Sequence, residues 1–88
     1  MNKFIFRWLL LEIRLLKQLF AEGVLLSATI VPAPMESDRW LLVFDKVSGG
    51  QERISKARSD TDKIYKRING AIIDAEDIGF KEVKVQLR

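Results

Sequence analysis

Few side chains in this sequence have the type and spacing from which chemistry could be built. Asp74, Glu76 and Asp77 fall in one short acidic stretch. Asp74 and Asp77 stand three apart, so on a helix they share a face, where two carboxylates could hold a hard cation such as magnesium. A solvated helix surface explains the same residues without a ligand. Glu12 interrupts an apolar stretch. A buried carboxylate is costly unless paired, so an ion pair or a place at the core's edge accounts for it more simply than catalysis does. Ser48-Gly49-Gly50 lacks the lysine and the helix start that a phosphate loop requires, and reads as a hairpin turn.

What is missing narrows the chemistry further. The chain has no histidine, which removes histidine triads, histidine general bases and the commonest metal ligand. It has no cysteine, so neither a disulfide framework nor a thiolate zinc or iron–sulfur site is expected. No convergent set of polar groups suggests a reaction. The expectation is therefore a non-enzymatic protein with no catalytic residue, metal, cofactor or small-molecule substrate.

The basic residues form a second constellation. Arg53, Lys56, Arg58, Lys63, Lys66 and Arg67 fall within fifteen positions, with Asp60 and Asp62 among them. Brought to one surface, they could contact phosphates. Tyr65 is the one aromatic residue there. Any nucleic-acid contact would then be mostly to the backbone rather than by base stacking. A mixed-charge soluble surface is the simpler alternative.

The elements that must position these residues can be read from periodicity. Lys3 to Ala21 predicts a helix, with Lys3, Arg7, Arg14, Lys17 and Gln18 on one narrow stripe and an apolar arc over the rest. Gly23 is a plausible stop. One small sheet can cover only part of that arc, so the surplus is expected to meet a second copy, a partner or a membrane surface. Phe4, Ile5, Trp8, Leu9, Leu16, Leu19 and Phe20 are the candidate oligomer interface. Trp8 and the phenylalanines also suit a membrane interface, but the polar face is too narrow for typical interfacial helices, so membrane attachment is disfavoured. The unbroken apolar run Trp8 to Leu11 is too short for a spanning helix or a signal core, and neither is expected.

Val24 to Val31 and Arg39 to Lys46 read as strands, the second apolar on both faces at its centre and hence covered on both sides. Gln51 to Arg58 reads as a third strand whose polarity suggests an edge or a solvent-facing position. A second helix is expected from a cap at Ser59 or Asp60, with Asp62 completing a capping-box-like arrangement. Its apolar face is Ile64, Ile68, Ala71, Ile72 and Ala75. Lys63, Lys66 and Arg67 early in that helix, and Asp74, Glu76 and Asp77 late, oppose its dipole. Gly79 would cap it, with Phe80 packing back. Val83, Val85 and Leu87 alternate with Lys84 and Gln86, which predicts a closing strand.

Residues 39–87 resemble the small accessory proteins encoded beside ParA-type partition ATPases on plasmids and integrative elements. The matching elements are Trp40 to Phe44, Arg58 to Asp60, Ile64 to Ala75, Gly79 and Val83 to Leu87. The likeness lies in core positions, and the amino-terminal helix has no counterpart in it. It implies a non-enzymatic helper in mobile-element maintenance, with no catalytic residues to carry over.

The 88 residues, 48% hydrophobic and 31% charged, suit one globular domain rather than a disordered chain. The expected class is α+β in the order α-β-β-β-α-β, with two helices on one face of a small, mostly antiparallel sheet. The formal charge of +3 tolerates anionic partners without requiring them. The absence of cysteine is compatible with the cytoplasm. The leading functional expectation is a homo-oligomeric interaction module. Backbone-level nucleic-acid binding and peripheral membrane attachment are the alternatives.

Overall fold

A computed structural model describes residues 3–34, 36–54 and 63–87, and in residues 3–11 the helical backbone alone. The elements run α1 (Lys3–Ala21), β1 (Leu25–Pro32), β2 (Trp40–Lys46), β3 (Gln51–Arg53), α2 (Ile68–Ile78) and β4 (Lys84–Val85). The class is α+β, in the expected order. The four strands form one mixed sheet in the order β3-β2-β1-β4.

The hairpin of β1 and β2 is the sheet's spine. Ala28 faces Phe44 and Ile30 faces Leu42 across antiparallel strands, so all four side chains point to one face. Leu16 of α1 and Ala71, Ala75 and Ile78 of α2 are buried against them in one cluster, so both helices cover that same face. Leu41 and Val43, on the opposite face, are buried as well, as the doubly apolar pattern of β2 predicted. Between Leu25 and Ser27 the register slips, and Leu26 is extruded from the ladder and exposed.

β4 pairs with β1 in parallel, Thr29 with Lys84 and Ile30 with Val85. β1 and β3 each run antiparallel to β2, so β4 also runs parallel to β3, from which two strands separate it. The Gln86 N–H donates to the Ile30 carbonyl at 2.8 Å. The next donor on that side of β1 would be residue 32, a proline without an N–H, so the ladder ends there. This also explains why β1 can include Pro32, one residue beyond the expected strand.

The segment between β3 and α2 differs from expectation. A strand to Arg58 and a helix starting near Ser59 were expected. Regular β3 pairing ends at Arg53, and α2 begins only at Ile68. Lys56, Arg58 and the cap formed by Ser59, Asp60 and Asp62 lie outside the described residues. Lys63 returns alongside β3, donating its N–H to the Ile54 carbonyl at 2.7 Å. Tyr65 then exchanges both backbone hydrogen bonds with Trp40, at 2.8 and 2.9 Å. Trp40 and Phe44 are four apart and direct these groups to the same flank of β2, so Tyr65 resumes the edge that β3 leaves. Backbone pairing and burial of Tyr65 thus override the helical spacing of Ile64, which stays partly exposed outside α2.

Gly79 ends α2 as expected. Its φ of 133° lies where side chains are strained, and a Cβ there would come within 2.7 Å of the Phe20 ring. Phe80 does more than pack on its own helix. Its ring lies 4.7 Å from Phe20, edge-on, and 5.6 Å from Phe44, joining α1, the end of α2 and the sheet.

Candidate functional site

The residues singled out in the sequence separate into groups with different fates. Two residues of the acidic stretch, Asp74 and Asp77, are paired within the chain. Asp74 Oδ2 accepts hydrogen bonds from the Tyr65 hydroxyl at 2.5 Å and from Lys63 Nζ at 2.9 Å. Asp77 faces Lys17 across 4.0 Å at an exposed site. Among the described residues, no group of three ligating side chains is placed to hold a metal ion. Glu12 is half-buried at the rim of the α1 contact.

The cluster of Lys63, Tyr65 and Asp74 is a clasp between α2 and the edge of the sheet. Tyr65 is 5% exposed, and Lys63 Nζ lies 4.7 Å from the centre of its ring. Burial, and then the hydrogen bond and charge of Asp74, push the Tyr65 hydroxyl far above its ordinary range. A phenol held protonated and donating to a carboxylate fastens two elements. Sequence reasoning missed this clasp because it put Lys63, Tyr65 and Asp74 on one helix. No local spacing signalled the clasp, because it depends on backbone pairing of Tyr65 with Trp40.

The basic constellation is divided. Arg53 is exposed at the end of β3, and Lys66 and Arg67 are exposed immediately before α2. Lys63 is turned inward and its charge is met by Asp74. Lys56 and Arg58 are outside the described residues. The backbone does bring the end of β3 beside residue 63, which was the condition for a common patch. The described side chains place one member, Lys63, in the clasp rather than on an open surface.

The proposed α1 interface is divided too. Leu16 is 2% exposed within the chain's own core, and Leu19 and Phe20 pack against that core. These three residues hold the fold, and they are withdrawn from the interface set. Phe4, Ile5, Trp8 and Leu9 lie in the part of α1 described by its backbone alone. Leu15, on the outer side of α1, is exposed. No described helix is long and apolar enough to cross a membrane.

A different apolar surface emerges along β4. Val83 and Val85 share a face with Ile30, and with Ile72, Glu76, Phe80 and Lys81 they line a groove between α2 and the outer edge of the strand. Val85 is 41% exposed and Leu87, two residues on, 74%. Ile73 of α2 is also exposed. The signal was present in the alternation of the last strand, but the sequence did not say that this strand lies at an edge. No protein-family model, curated protein sequence or solved structure matches this chain.

Proposed function

We propose that the protein is a non-enzymatic interaction module that assembles with copies of itself. The observation that carries this reading is the exposure of the apolar side chains Val85 and Leu87 at and just beyond the edge strand β4. Ion pairs elsewhere close within the chain: Lys63 with Asp74, Lys17 with Asp77 and, at the far hairpin, Lys46 with Glu52. Apolar side chains exposed at a sheet edge suit association better than turnover of a polar substrate. The reading agrees with the helper role that the resemblance to partition accessory proteins implies, exercised in the cytoplasm.

Light scattering after size exclusion, over a concentration series in low and high salt, tests it. A dimer or larger species in both salts is the expected result, because apolar contacts are not screened. A monomer at every concentration overturns it. Exposed Arg53, Lys66 and Arg67 favour a second reading, contact with a nucleic-acid backbone. That reading requires duplex binding that weakens steeply with salt and is lost on charge reversal at Arg67 and Lys66.

A further inference from the structure

We infer that self-association runs through the outer edge of β4, which pairs antiparallel with β4 of a second copy about a two-fold axis at Val85. The inference rests on the assembly reading above and gives it a geometry. Because Gln86 directs its N–H inward to Ile30, its neighbour Val85 directs both its N–H and its C=O outward, away from β1. The two copies of Val85 then exchange both hydrogen bonds, and two four-stranded sheets become one of eight strands.

The side chains agree with that register. Centred on Val85, it sets Val83 opposite Leu87 and Lys84 opposite Gln86, so no like charges in this stretch face each other directly. Val83 and Val85 lie on the helix side, where the groove lined by Ile72 and Phe80 meets the strand, and Leu87 continues their alternation. The second copy brings to that groove the same alternating apolar side chains.

The apolar alternation also outruns the ladder it serves. Pro32 stops pairing with β1 after Gln86, yet Leu87 continues the pattern at 74% exposure. The other edge of the sheet offers no such surface. β3 carries only Gln51, Glu52 and Arg53 and so presents no apolar side chain to a partner. No proline interrupts Val83 to Leu87, of which Lys84 and Val85 form the regular strand.

Val85→Pro is the discriminating variant. The Val85 N–H faces away from β1, so proline there spares the intramolecular ladder and removes both bonds of the central pair at once. Self-association is expected to weaken at least about 30-fold with the circular dichroism spectrum kept. A wild-type oligomer whose mass is unchanged by Val85→Pro overturns the edge geometry and leaves assembly itself standing. A wild-type monomer overturns both.

Crosslinking gives a readout independent of that variant's folding. The chain has no cysteine, so Val85→Cys can form only a disulfide between copies. In the proposed pairing the two Cα atoms lie about 5.5 Å apart, within disulfide range. Val85→Cys is expected to crosslink under mild oxidation at least about ten times faster than Leu87→Cys, which random collision would favour through its greater exposure. Leu87→Cys should instead crosslink with Val83→Cys when the two are mixed. Equal or faster self-crosslinking of Leu87→Cys overturns the register.

Discussion

Tyr65 shows how one side chain can decide a local structure against its neighbours' preference. It stands between Ile64 and Ile68, whose spacing suits a helix, but its ring is buried, its backbone pairs with Trp40 and its hydroxyl donates to Asp74. Tyr65→Phe keeps the ring and removes the donor, so a loss of about 1–2 kcal/mol is expected in urea unfolding. The folded phenol titrates above its ordinary value of 10.0, while the unfolded one does not. Its contribution is therefore fully present below pH 10 and falls as pH rises beyond it. Wild type should lose stability above pH 10 more steeply than Tyr65→Phe, and parallel pH profiles would refute the assignment. Gly79 is decided by two constraints together, its positive φ and the Phe20 ring at 2.7 Å from a Cβ. Gly79→Ala is expected to cost about 2–4 kcal/mol, more than strain at the φ alone, and thermal melts of the variant check it. The terminating glycine was legible in the sequence; the contact that makes it doubly necessary was not.

At the level of elements, the strands and the body of each helix follow the apolar periods, and the boundaries do not. α1 docks by Leu16, Leu19, Phe20 and Ile13, one flank of an arc too wide to show beforehand which side would face the sheet. Leu16→Ala is expected to cost about 2–5 kcal/mol in equilibrium unfolding, because its site is closed by both helices and the hairpin. Exchange of exposed Leu15 for serine should stay within about 0.5 kcal/mol, and equal losses at the two sites would contradict this docking face. The polar composition of the third strand suggested an edge, and β3 is one. Its end was misplaced because hydrogen bonding to a returning segment, absent from any local pattern, closes the edge at Trp40 and Tyr65.

For the whole molecule, association and stability are linked. If two copies join through β4, dilution should lower the melting temperature, since the assembled form binds only native chains. Calorimetry over a hundredfold concentration range measures this, and Val85→Pro should remove the dependence. A small domain of this length leaves about two-fifths to one-third of its unfolded surface exposed, so an apolar edge is a substantial feature of its exterior. The sequence by itself determined the α+β class, the order of elements, the doubly buried centre of β2, the glycine at the end of α2 and the want of histidine and cysteine chemistry. These follow from composition and from periods of two and 3.6, which local spacing records. Only the tertiary structure decided that β4 joins β1 rather than β3, that Lys63 serves Asp74 rather than a basic surface, and that Leu16, Leu19 and Phe20 turn inward. Each depends on partners distant along the chain, whose competition for hydrogen bonds and buried area no local pattern can rank.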